Sequence, residues 1–182
     1  MGGERLNDFK ECLEYSLGER EQFDEKILKQ HFPWVEEVIK TDTETDKTGI
    51  DYIAKSKDGS SFTIDAKTRM PGCSKYWKDN TPELCLEGHS DCEKGIAGWL
   101  FKNSVNHPDY ILYTFSRKDT NRYYLVPFQL LKKATYQHAE QWKLKYGIKY
   151  QKNKGGWTSS AIFVPAPEVL TAINELMKGE IS

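Results

Sequence analysis

The sequence has no apolar run approaching the roughly 18 residues that a membrane-crossing helix needs. Its opening, MGGERLNDFKECLEYS, is charged and lacks the apolar stretch of a secretory signal. A cytoplasmic protein with no membrane partner is therefore the expectation. Cysteine is scarce, with four in 182 residues, and nothing in that usage suggests a disulfide scaffold. Net charge is nearly absent: a formal −1 excludes a uniformly basic nucleic-acid coat. Internal repeats and low-complexity segments are also missing. Core-forming residues are not: 38% of the chain is hydrophobic and 13% aromatic, which argues against wholesale disorder. A length of 182 residues fits a single domain, since soluble domains run to about 100–200 residues.

The near-zero sum conceals an uneven distribution. Residues 1–60 carry 15 Asp/Glu against 9 Lys/Arg, whereas 117–154 carry 10 Lys/Arg against two acids. One part of the chain gathers carboxylates while another could face a polyanion, the plainer account being a solvated lysine surface.

Hydrophobic periodicity predicts a helix from about Leu6 to Gln30, through Leu13, Leu17, Phe23, Ile27 and Leu28, ended by His31-Phe32-Pro33. Strands are predicted at Trp34–Ile39, Gly49–Ala54 and Ser61–Lys67. The last two are joined by a Lys57-Asp58-Gly59-Ser60 turn, because Asp-Gly tolerates positive φ. Residues 70–95, with two Pro, three Gly and three Cys, read as an irregular insertion. Ile96–Phe101 reads as a short buried helix. Asp109–Phe115 and Arg122–Val126 read as a hairpin, and Pro127–Ala134 as a helix. Ser160–Pro165 is a last strand and Pro167–Met177 a last helix. This order implies a mixed α/β domain.

The informative segment is Thr48-Gly49-Ile50-Asp51-Tyr52 followed by Thr63-Ile64-Asp65-Ala66-Lys67. Residues two apart on a strand share a face, so Asp65 and Lys67 project together, and a hairpin can bring Asp51 to both. Two carboxylates can hold a hard divalent cation and leave positions for water and phosphate oxygen. A neighbouring ammonium can serve the attacking water or offset charge as phosphorus becomes five-coordinate. Asp46 could substitute for Asp51, but it sits in the polar 41–48 loop.

This pattern resembles the PD-(D/E)XK nuclease superfamily, with Ile50 in place of the Pro. The likeness covers roughly residues 18–69 in motif terms. It implies a restriction-endonuclease-like, three-layer fold with an αβββαβ core, in which helices flank a central mixed sheet across a single domain, 1–182. It also implies Mg²⁺, with Mn²⁺ as a substitute, held by Asp51, Asp65 and the Ala66 backbone carbonyl, with Lys67 serving the water. The activity implied is metal-dependent phosphodiester hydrolysis, most often of DNA, with a homodimer where both strands are cut. The first helix, at Gly18-Glu19-Arg20-Glu21, is similar to that of Holliday-junction resolvases in the superfamily. Glu19, four residues before Phe23, is the expected additional catalytic and metal-binding carboxylate, and Glu21 points about 200° away. The plainer account of either Glu is an exposed helix charge.

Arg69 could touch phosphate or be an ordinary charge at a strand end. Gln129 reads as a solvated or capping residue, with a place facing the site as its other reading. Cys73, Cys85, His89 and Cys92, spaced C-x11-C-x3-H-x2-C, could hold zinc, although thiols without metal are the commoner outcome. Basic and aromatic residues interleave from Tyr136 to Trp157, nominating Lys143, Lys145, Lys149 and Lys152 for nucleic-acid binding. In the structural account, Trp142, Tyr146 and Tyr150 form a helix stripe that Gly147 would weaken. Two other functional classes fit the same residues: a non-catalytic nucleic-acid-binding module, and a protein-interaction factor using the acidic N-terminal portion.

Overall fold

The computed structural model describes residues 20–42, 49–69, 72–103, 106–116, 120 and 122–181. The chain is mixed α/β and divides into two compact units. One is built from described residues up to 75 and from 106–128, the other from 76–103 and 129–181. No helix among the described residues is long and apolar enough to cross a membrane.

The first unit holds helix α1 (Arg20–His31) and strands β1 (Val35–Lys40), β2 (Tyr52–Ser56) and β3 (Ser61–Arg69). The expected helix before Arg20 lies outside the described residues. Helix α1 stops where Pro33 removes an N–H, and its last turn carries Lys29 and His31, which suit the negative end of the helix dipole. Strands β1, β2 and β3 pair antiparallel in sequence order. The β2–β3 turn forms as its sequence predicts: Gly59 takes φ +84°, and Asp58 accepts the Ser60 N–H at 2.9 Å and the Ser56 hydroxyl.

The chain leaves β3 and passes through the second unit's β4 (Glu83–Asp91) and β5 (Ile96–Ala97). It returns as β6 (Tyr110–Phe115) and β7 (Tyr123–Pro127). Strand β6 lies parallel to β3, with Asp65 beside Ile111 and Lys67 beside Tyr113, and β7 closes the sheet antiparallel. The five-stranded order is β1-β2-β3-β6-β7. Side-chain alternation splits this mixed sheet into two chemically different faces. Tyr52, Ala54, Ile64, Ala66 and Leu112 point to one face and form a core with Ile27 and Leu28 of α1. Asp65 and Lys67 point to the other.

The second unit carries a four-stranded antiparallel sheet, ordered β5-β4-β9-β8, where β8 is Lys149–Lys152 and β9 is Thr158–Pro165. Leu84 and Leu86 of β4 lie opposite Val164 and Ile162 of β9, and all four are buried. Helix α2 (Phe128–Tyr146) buries Leu131, Ala134, Thr135 and Trp142 at helical spacing. Helix α3 (Ala166–Ile181) buries Val169, Ala172 and Ile173.

Several stretches fold differently from what their sequence predicts. The stretch read as irregular contains β4, which is central to its sheet. Ile96–Phe101 is not a helix. It holds the two-residue β5 and a turn, in which Phe101 N–H bonds to the Gly98 carbonyl at 3.0 Å. Helix α2 runs twelve residues beyond Ala134, and Tyr150 stands on β8 rather than on the helix. Gly147 does not weaken the helix; it ends it. In left-handed conformation at φ +71°, it donates its N–H to the Lys143 carbonyl at 2.9 Å.

Candidate metal-binding carboxylate pair on the β2–β3 hairpin

The paired register of β2 and β3 ends with Tyr52 opposite Ile64. Asp51 then falls out of step: its N–H donates to the Ile64 carbonyl at 2.9 Å, so it and Tyr52 both face Ile64 in a bulge-like irregularity. Asp65 and Lys67, two apart on β3, share a face. The Asp51 carboxyl reaches this pair and is in hydrogen-bond contact with that of Asp65. Lys67 Nζ donates to Asp65 Oδ1 at 2.6 Å, and Asp51 Oδ2 accepts the Ala66 N–H at 2.6 Å. The second contact fixes the Asp51 carboxylate across the strand that carries the other two groups.

Asp65 is 3% exposed, and its carboxyl is pushed up to about 6. Burial is the main cause, because an ionised carboxylate loses its hydration there. Lys67 pulls the value down through its charge and its hydrogen bond, while Asp51 pushes it up through like charge and a hydrogen bond. The site thus holds two close carboxyls and one ammonium, and burial makes the second negative charge costly.

Thr41 is the residue that sequence reasoning missed. Its N–H donates to the Asp51 carbonyl at 2.9 Å, and its hydroxyl sits 2.5 Å from the Ile50 carbonyl and 3.1 Å from that of Asp51. It ties the backbone of Asp51 to the end of β1. Thr41 lies in a polar stretch that reads as loop, and no local pattern marks it.

The other nominated residues fall in several places. Glu19 and Asp46 lie outside the described residues. Asp24 of α1 is fully buried and accepts the Tyr52 hydroxyl at 3.1 Å. Tyr52 belongs to the Ile64 face, so Asp24 is on the opposite side of the sheet from Asp65. Arg69 ends β3, half-buried, on the same alternation as Asp65 and Lys67. Gln129 is exposed in the first turn of α2.

The four nominated lysines lie in the second unit and separate into two kinds. Lys143 is paired to Glu140 at 2.6 Å and Lys145 to Glu168 at 2.7 Å. Glu168 is drawn up by partial burial, but the Lys145 and Tyr146 hydrogen bonds outweigh this and hold it below the usual range. Lys149 and Lys152 stand exposed on β8.

Cys73, Cys85 and Cys92 are in the thiol form, Cys85 and His89 on β4 and Cys73 in the first unit. His89 Nδ1 is 3.2 Å from the Ser160 hydroxyl. Among the described residues, no three His, Cys, Asp or Glu side chains come together as a metal-binding group. The Asp51–Asp65 pair is thus a two-membered set within those residues.

No protein-family model, curated protein or solved structure matches the chain.

Proposed function

We propose that the chain is a divalent-metal-dependent nuclease of the restriction-endonuclease-like class, acting on phosphodiester bonds in DNA as a cytoplasmic enzyme. The observation that supports this is the convergence of the Asp51, Asp65 and Lys67 side chains at the β2–β3 hairpin, with Lys67 Nζ 2.6 Å from Asp65 and the Asp51 carboxyl in contact with it. The donor chemistry suits Mg²⁺ or Mn²⁺: two carboxylates, with a backbone carbonyl at Ala66 between Asp65 and Lys67, are hard oxygen ligands. The raised Asp65 carboxyl fits the same role, since a buried carboxyl beside a second one gains most from a cation. Asp51, Asp65 and the Ala66 carbonyl would hold the ion. Once bound, it supplies a Lewis acid for the phosphoryl oxygen and a more acidic water.

The chain's own residues do the rest. Asp51, locked by the Ala66 N–H and by the Thr41 bonds to its carbonyl, keeps its carboxylate oriented without a rotamer search. Lys67 holds its ammonium beside Asp65 before substrate arrives. In the reaction it orients the attacking water and offsets charge developing on the phosphoryl oxygens. Supercoiled and branched DNA, incubated with Mg²⁺, Mn²⁺ or EDTA and read on a gel, tests the reading. Cleavage with either metal and none with EDTA is expected; intact DNA under every condition overturns it. An Asp65→Ala variant that cleaves like the parent would remove this site.

A further inference from the structure

We infer that the β8–β9 hairpin is a stacking prong for unpaired nucleotides, so that single-stranded segments are the form of nucleic acid engaged. This deepens the nuclease reading and rests on it for the link to cleavage. Between Gln141 and Pro167 the sequence has five Lys and no Asp or Glu. Glu140 and Glu168, just outside that stretch, pair with Lys143 and Lys145. The exposed cations that continue along the chain are Lys149 and Lys152 on β8 and Lys154 in the turn. Against the Glu93 carboxylate, which accepts the Thr158 N–H at 2.8 Å, these three exposed cations leave the hairpin net positive, which favours a polyanion as occupant.

The aromatic residues select its form. Tyr150 is 67% exposed between Lys149 and Lys152, and Trp157 is 38% exposed at the far side of the turn. Lysines on an edge strand also protect against unwanted strand pairing, but exposed aromatic rings give no such protection. The turn is built to present Trp157. Asn153 N–H bonds to the Trp157 carbonyl at 2.9 Å, and Gly156 N–H to the Asn153 carbonyl at 2.9 Å. The indole lies against Gly155 so closely that an added Cβ would sit 1.7 Å from its Cζ3. Only glycine leaves that room. One side of the ring is thus backed by main chain, and the exposed remainder offers a rigid surface. Base–aromatic stacking is tolerant of sequence and works on bases that are free of a duplex, while nearby lysines follow the phosphates.

The test is fluorescence anisotropy of a short labelled oligothymidylate and of a duplex of equal length, with the full chain in EDTA so that nothing is cut. The single strand should bind more tightly than the duplex. Trp157→Ala and Tyr150→Ala should each weaken single-strand binding by about 5–100-fold, and Trp157→Tyr should restore most of it. Changing Lys149 and Lys152 together to Gln should lower the salt slope by about 1.4, at ~0.7 per phosphate contact. Unchanged affinity in both alanine variants, equal losses for duplex and single strand, or no binding by the parent chain each overturns the prong. Parent cleavage with Mg²⁺ but no binding loss in Trp157→Ala removes the prong and leaves the nuclease. Binding loss in Trp157→Ala with no parent cleavage removes the nuclease and leaves the prong.

Discussion

The β2–β3 hairpin and the β8–β9 hairpin are both antiparallel ribbons carrying charged residues, yet they treat charge in opposite ways. On β3, Asp65 is buried, hydrogen-bonded to an ammonium and beside a second carboxyl, and its carboxyl is pushed up to about 6. On β8, all four residues are exposed, and water pays for their charge. A buried carboxylate beside another lowers stability unless a cation or hydrogen bonds offset it. An exposed lysine costs almost nothing and says little alone, which is why the second ribbon's case rests on its aromatic rings.

The largest expected effect sharpens this contrast. Asp65→Ala or Lys67→Ala should reduce cleavage by about 10³-fold or more while leaving the circular-dichroism spectrum largely intact. Lys149→Ala, an exposed change, should leave the cleavage chemistry of a saturated complex unaltered. Equal losses in both would erase the distinction between the ribbons.

Next comes a stability effect of unusual sign. Because burial raises the Asp65 carboxyl to about 6, the folded state binds its proton more tightly than the unfolded state does. Its favourable contribution is complete below about pH 4 and is lost as pH rises through about 6. Asp65→Asn mimics the protonated form. In EDTA it should therefore be more stable than the parent at pH 8 by up to about 3 kcal/mol, with the advantage vanishing near pH 4. Urea titrations at both pH values measure it; the same difference at both would remove burial as the cause. The neighbouring Ile64 faces the apolar side, and Ile64→Ala should destabilise by about 2–5 kcal/mol at either pH.

The smallest effects concern the second unit. Gly147→Ala forces a Cβ onto a left-handed backbone and should cost about 1–2 kcal/mol by thermal melting. Lys149→Gln should change stability by no more than about 0.5 kcal/mol.

The two ribbons also differ in how far the sequence discloses them. Asp-Gly and the Phe62, Ile64, Ala66 alternation mark the first, and a period of two suffices to place Asp65 beside Lys67. That reasoning cannot see the Asp51–Ala66 hydrogen bond or the Thr41 anchor, both of which depend on how strand ends meet. Strand β8 has no apolar alternation at all, and Tyr150, four residues after Tyr146, imitates a helix. Its strand character comes from pairing with β9. Strand β4 hides for a related reason. Leu84 and Leu86 give only one alternation step before Gly88, and the partner, β9, lies some eighty residues later (Glu83 opposite Pro165). Ile96–Phe101 misleads because a short apolar run has no period to distinguish strand or turn from helix.

The parallel pairing of β3 with β6 has a kinetic consequence. Asp65 sits beside Ile111, so the strand that flanks it is synthesised 46 residues later, after an entire sheet strand of the other unit has been made. The β2–β3 hairpin is local and can close early, with its acids still bathed in solvent. On a growing polypeptide these carboxyls therefore begin as ordinary surface acids, and the unusual proton affinity of Asp65 arises only once the rest of the fold buries it. Pulsed hydrogen exchange should find the Lys67 amide protected later than those of the β2–β3 turn.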